Sequence, residues 1–177
     1  MNRLPEIISS RLVYSGRLVS VRLVRAKYVG REVVREVVEH PGSVAIVATD
    51  SEGRFLLVSQ YRIGVGEETL EIPAGTLEEG EEPARCAERE LEEETGLKAD
   101  GLRLIAETYT SPGYSNEKLY IFVGRAPTVG LQRHDVDENI KVVRLTREQV
   151  LDAIRNGSIR DLKSIAALLM SIFMDSV

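Results

Sequence analysis

Five glutamates, Glu88, Glu90, Glu92, Glu93 and Glu94, fall within seven residues of a segment that reads as one helix. Pro83 fits its first turn and Gly96 the position just past its end, which predicts a helix over 83–95. Glu90 lies one turn from both Glu93 and Glu94, so three carboxylates share a face, while Ala84, Ala87 and Leu91 form the opposite, apolar stripe. Like charges at this spacing each oppose an isolated helix by about 0.2–0.5 kcal/mol. A hard divalent cation relieves that repulsion, and all-oxygen ligands suit magnesium, with manganese as a substitute. A Glu-rich helix face is more often simply solvated, so the wider spacing must decide between the two.

That spacing is specific. From Gly75 the chain runs five residues to Glu81 and seven more to Arg89-Glu90-Leu91. One residue then precedes Glu93-Glu94, and another precedes Gly96-Leu97. This pattern resembles, position for position, the signature of the Nudix hydrolase family. The resemblance implies a mixed β-sheet sandwiched between helices and a reaction in which water breaks a phosphoanhydride within a nucleoside diphosphate linked to another group. It also implies that Glu90, Glu93 and Glu94 hold the metal together with the carbonyl of Ala74. Glu81 and Arg89 then orient the loop and the helix. The chemistry agrees, because a pyrophosphate brings about two negative charges to a site already lined with carboxylates. Metal must neutralise them and lower the pKa of the attacking water. The remaining tasks are to hold that water in line and to take its proton.

The signature does not choose the substrate. Ser111-Pro112-Gly113-Tyr114-Ser115-Asn116-Glu117, with Pro112 fifteen residues after Leu97, resembles the ADP-ribose pyrophosphatase branch of the family. In that light Pro112, Gly113 and Glu117 contact substrate, although a Pro-Gly turn between strands reads the same way and GDP-mannose-type hydrolases carry a similar stretch. Arg35 to Gly42 resembles the entry segment of the same branch, whose three N-terminal strands help to form a dimer and lend an arginine or aromatic to the nucleotide pocket. Arg35 takes that place, with Tyr14 as a stacking candidate. Gln60-Tyr61-Arg62 also resembles the branch, and Arg62 would face phosphate or ribose. The branch's acidic loop aligns its general base with Glu138. Some members use a residue two earlier, here Val136, which cannot serve, so Glu93, Asp135 and Asp137 stand as substitutes. His134 titrates in the right range, but a lone loop histidine is usually just solvated. Cys86, one turn before Glu90, has no paired histidine signature and reads as a small helix residue.

The expected activity is therefore hydrolysis of ADP-ribose to AMP and ribose 5-phosphate. Hydrolysis of a GDP-mannose-type nucleotide sugar or of dinucleotides is the alternative. A non-catalytic ADP-ribose sensor is a minor one, since sensors commonly lose the glutamates that this chain keeps.

The elements that must position these groups follow from periodicity. Residues 1–40 read as three strands too thin to bury much alone, an antiparallel extension expected to form a homodimer, and 41–177 as the hydrolase domain. Ser43 to Thr49 is a continuous β-branched apolar run, the mark of a strand covered on both faces, with Phe55 to Gln60 as its hairpin partner. Leu70 to Ile72, Leu102 to Tyr109, Lys118 to Val123 and Ile140 to Leu145 read as further strands, with a loop at Gly75. Thr146 and Gln149 have capping-box spacing, and Asp161 begins the last helix. The class is α/β.

A net charge of −5 argues against nucleic acid or an anionic membrane as partner. The single cysteine excludes an internal disulfide, and the first residues lack the apolar core of a signal peptide. The apolar run Ile165 to Met174 is too short for a membrane span. The cytoplasm is the expected location.

Overall fold

The run Ser43–Thr49 forms strand β4, and its residues 44–48 are almost wholly excluded from solvent, as expected for a strand covered on both sides. The structure, a computed structural model, describes residues 4–130 and 140–174. In chain order the strands before β4 are β1 (Glu6–Ser15), β2 (Ser20–Tyr28) and β3 (Arg31–Glu39). After it come β5 (Phe55–Arg62), β6 (Glu67–Glu71), β7 (Ala74–Thr76) and helix α1 (Pro83–Thr95). Then follow β8 (Leu97–Lys98), β9 (Leu102–Tyr109), β10 (Lys118–Arg125), β11 (Thr128–Val129), β12 (Lys141–Leu145), α2 (Arg147–Arg155) and α3 (Leu162–Met174).

The main sheet is mixed and runs β12-β5-β4-β10-β9, with β6 paired to β5 and β7 to β4. Alternation along β4 sends Val44, Ile46 and Ala48 into one core cluster with Cys86, Ala87 and Leu91 of α1. Ala45 and Val47 point the other way, and α3 also packs on β4, which makes the helix–sheet–helix layering. Helix α1 spans the expected residues. Pro83 sits in its first turn, and Gly96 closes it in the left-handed conformation (φ 69°), its N–H bonding the Glu92 carbonyl at 2.8 Å. Helix α2 carries the capping box of Thr146 and Gln149. No described helix is long and apolar enough to cross a membrane.

By internal contacts the chain divides into two units, 1–42 with 108–119 and 43–107 with 120–177. In the first, β1, β2 and β3 form an antiparallel sheet in which Ala26 alone of the three strands' residues is buried. Its β2–β3 hairpin turns on Val29 and Gly30, both at positive φ (49° and 77°), the two-residue turn that matches strand twist.

Differences from the expected elements are confined to short pieces. Strand β6 begins at Glu67, three residues before the expected Leu70, because ladder pairing with β5 from Arg62↔Glu67 to Val58↔Glu71 carries it through charged residues. The expected loop at Gly75 is strand β7, aligned on Ser43–Ala45 of β4. The two-residue ladder of β8 with β11 is too short for periodicity to register.

Candidate active site

In the second unit the acidic face of α1 is organised by one cation. Arg89 donates through Nε and Nη2 to both oxygens of Glu81 at 2.9 Å, a bidentate pair that locks the loop before the helix onto the helix itself. Its Nη1 donates to Glu90 at 2.7 Å and to Glu93 at 3.0 Å. One guanidinium thus answers three of the carboxylates singled out from sequence. The Arg89 hydrogen bonds hold the Glu81 carboxyl down to about 2 against the opposing effect of burial. Arg89 is correspondingly held in its charged form. Cys86 lies against the same group, and burial first, then the charge of Glu81, pushes its thiol up to about 12, which removes it as a nucleophile.

Glu94 turns elsewhere. It is 6% exposed, and its Oε2 accepts the backbone N–H of Ala74 at 3.1 Å. Pro73, one residue earlier, gives its carbonyl to the N–H of Ile46 in β4 at 2.8 Å. In extended chain a residue's N–H and C=O leave on the same side. The Ala74 carbonyl therefore points away from β4, toward the side on which Glu94 stands. At the next residue a Cβ on Gly75 would lie 1.9 Å from Cδ of Glu90, so the strand and the helix meet at a distance only glycine permits. The sequence pattern demanded a glycine there, and Glu90 is the reason.

Arg62 was expected to face substrate. Its Nε and Nη2 donate to Glu71 at 2.9 Å each, and Glu71 also takes the Thr69 hydroxyl at 2.6 Å and the ammonium of Lys163. Burial tends to raise the Glu71 carboxyl, but the Arg62 bonds and the Lys163 charge outweigh it and hold the group at about 2. Both Glu71 and Glu81 have folded-state values below their ordinary 4.5. The stability each contributes is complete above about 4.5 and is lost as pH falls toward about 2. The thermal midpoint of the wild type is thus expected to fall across that window, and Glu81→Gln to start lower and fall less steeply. Thermal melts followed by circular dichroism from pH 6 to 2 check this. Parallel curves for the two proteins would refute it.

In the first unit the two segments that resembled the substrate-binding parts of the branch lie together. Val38 N–H donates to the Tyr114 carbonyl at 2.7 Å, Asn116 N–H to the Val38 carbonyl at 3.1 Å, and His40 N–H to Oδ1 of Asn116 at 2.8 Å. This backbone pairing sets Arg35, Pro112 and Gly113 around one cavity of about 400 Å³, with Tyr28 and Tyr114 also on its wall. Glu117 accepts from the Thr110 hydroxyl at 2.8 Å, and one of its oxygens stands 4.0 Å from Nδ1 of His40. That nitrogen also accepts the Gly42 N–H at 3.0 Å. Tyr14 is more than half exposed.

Glu138, with His134, Asp135, Val136 and Asp137, lies outside the described residues. Among the described residues no three His, Cys, Asp or Glu side chains converge as a ready cation site. The reason is local: Glu90 and Glu93 are turned onto Arg89. Sequence reasoning passed over Ser164, Lys163 and Asp161, which the fold brings to the strand leading into Ala74. The N-cap place of Asp161 was legible, but a partner 92 residues away in sequence leaves no local signal.

An acidic helix face clamped by one arginine against a glycine strand, on a sheet layered between helices, defines a class. A family profile described as NUDIX domain matches residues 39–168, and the chain belongs to that family. It is 35% identical over 166 residues to a protein named ADP-ribose pyrophosphatase from Bacillus subtilis (strain 168), covering 92% of this chain and 90% of the relative. It is 34% identical, with the same coverage, to one named methanol dehydrogenase activator from Bacillus methanolicus. A solved structure titled as an ADP compounds hydrolase agrees in fold, with a TM-score of 0.87 at 23% identity over 98% of this chain and 95% of that one.

Proposed function

We propose that the protein is a metal-dependent ADP-ribose pyrophosphatase releasing AMP and ribose 5-phosphate. The observation that carries this reading is the Glu90–Glu93–Glu94 face of α1 set against the Ala74–Gly75 backbone, in a chain 35% identical to a relative of that name. The donor chemistry fits a hard divalent cation, since every candidate ligand is a carboxylate or carbonyl oxygen. Glu90, Glu93, Glu94 and the Ala74 carbonyl would hold magnesium, with manganese as substitute. Bound there, the cation supplies charge neutralisation for the pyrophosphate and acidifies water.

The chain's own residues supply the rest. Glu81 keeps Arg89 in place, and Arg89 holds Glu90 and Glu93 ready on one side of the helix. Glu138 is the proposed base, with Glu93 as its substitute. It takes the proton of a water whose oxygen bonds to phosphorus as the bridging P–O bond breaks. Arg35, Pro112 and Gly113 receive the nucleotide in the first unit's cavity, Glu117 belongs to the same segment, and Arg62 faces phosphate or ribose. The exposed apolar side chains of β1, among them Ile7, Ile8, Leu12 and Val13, support a homodimer formed through residues 1–40.

Product analysis after incubation with magnesium and either ADP-ribose or GDP-mannose tests the reading. AMP with ribose 5-phosphate from the first substrate, and little product from the second, is expected. Preferential GMP release would replace the substrate assignment, and tight ADP-ribose binding without turnover in any divalent metal would make the protein a sensor. Sedimentation velocity on the full chain reads the oligomer, and a monomer at micromolar concentration would remove the dimer.

A further inference from the structure

Ile72 and Pro73 join β6 to Ala74, the first residue of β7, and although none of these three residues has a ladder partner for an N–H group, every such group is accounted for. Pro73 has none, Ala74 donates to Glu94, and Ile72 donates to Oγ of Ser164 at 2.9 Å. Ser164 is fully buried in the first turn of α3. A hydroxyl has one proton, and that of Ser164 goes to Oδ2 of Asp161. The direction of each bond is thereby fixed. Asp161 also takes the backbone N–H of Ser164 at 3.0 Å, as an N-cap does, and the ammonium of Lys163 at 2.8 Å. Lys163 in turn reaches Glu71, which grips Arg62. A continuous polar chain therefore runs from the outer strand through the start of α3 to the amide two residues before Ala74.

We propose that Ser164 is a positioning residue whose hydroxyl holds the Ile72–Pro73–Ala74 backbone so that the Ala74 carbonyl stands beside Glu94 as a metal-facing pair. The inference rests on the metal role proposed above for Ala74 and Glu94. Three fixings act on three consecutive residues. Ser164 holds the Ile72 amide, β4 holds the Pro73 carbonyl, and Glu94 holds the Ala74 amide. The Pro73 ring removes one of the torsions between them. Releasing the first leaves two fixings in place of three, and a shift of Ile72 is passed through the stiff Pro73 to the Ala74 carbonyl. A role limited to capping α3 is separable from this one, because the cap runs through the Ser164 backbone N–H, which Ser164→Ala keeps.

The test uses the full chain, with Mn2+ alone as probe and free ion measured by electron paramagnetic resonance. Magnesium activation of ADP-ribose hydrolysis is followed in parallel. Ser164→Ala is expected to raise the Mn2+ dissociation constant and the magnesium half-saturation by about 10-fold, the size seen when a ligand's support is removed. Its kcat at saturating magnesium should stay within about 3-fold of wild type, since the support acts through metal binding. Ser171→Ala, a buried serine later in the same helix, serves as the stability control and should leave both constants unchanged. Wild-type Mn2+ affinity in Ser164→Ala, or equal weakening in Ser171→Ala, overturns the proposal. If Ser164→Ala does not fold, Ser164→Cys keeps the volume with a weaker acceptor, and wild-type affinity there overturns it as well. A wild-type chain that binds no Mn2+ refutes the functional reading itself, and the inference with it.

Discussion

Glu94→Gln is expected to slow AMP release from ADP-ribose by about 10³-fold, the effect of several kcal/mol of metal-borne charge stabilisation. The fold should survive with its thermal midpoint close to that of the wild type. The reason lies in the two oxygens of the side chain. One accepts the Ala74 amide at 3.1 Å, and a glutamine carbonyl can accept that bond equally well. What the substitution removes is negative charge, on a helix face where Glu90 and Glu93 already repel it. Glu94→Ala separates the two roles. It also removes the charge but leaves the Ala74 N–H unsatisfied in a largely buried place, a loss of roughly 1–3 kcal/mol. Turnover should then be low in both variants, while the midpoint drops in the alanine variant alone. Steady-state rates and melts on the pair decide it. Near-normal turnover in Glu94→Gln would put the metal elsewhere.

Gly75→Ala should be nearly as damaging to turnover and more selective. The added methyl would sit 1.9 Å from Cδ and 2.1 Å from Oε1 of Glu90, and those atoms belong to the end of a flexible side chain. The backbone at Gly75 is not in the left-handed region, so alanine meets no torsional penalty there. The carboxylate therefore gives way, leaving its bond to Arg89 and its proposed place as metal ligand. A loss of about 100-fold in kcat/KM at subsaturating magnesium is expected, with stability lowered by no more than about 1–2 kcal/mol. Gly124→Ala is the informative contrast. There the methyl would meet the backbone carbonyl of Gly101 at 2.5 Å, which cannot swing aside. That variant should lose stability, yet keep its magnesium dependence in whatever fraction stays folded. Activity titrated against magnesium, beside chemical denaturation, distinguishes the two. Equal behaviour of both variants would mean that Gly75 is needed only for packing.

These two expectations draw on different sources. That Glu94 belongs to an acidic helix face was legible from spacing, because a 3.6-residue period is a local property of the chain and like charges on it demand an explanation. The span of α1, the run of β4 and the cap of α2 were legible for the same kind of reason, each signalled by its own residues. The glycine at 75 was legible only as a position in a pattern. Its cause, a carboxylate from fifteen residues later pressed against the strand, required the helix to be seen packed on β7.

At Arg62 the fold adds a partner that the linear pattern never brought forward, since its guanidinium grips the buried carboxylate of Glu71. Arg35 and Pro112-Gly113 lie in two segments about seventy-five residues apart, and only the pairing along β3 shows that they line one cavity.

The sequence by itself determined the helix that carries the carboxylates and the strand it packs on, because periodicity and capping act between near neighbours. Tertiary structure alone decided the pairings between elements: Glu94 takes the Ala74 amide, Glu71 takes Lys163, and Ser164 comes from the far end of the chain to hold Ile72. Such pairings depend on which surfaces the apolar core brings face to face. A buried polar group takes whichever partner stands within about 3 Å, regardless of its distance along the sequence.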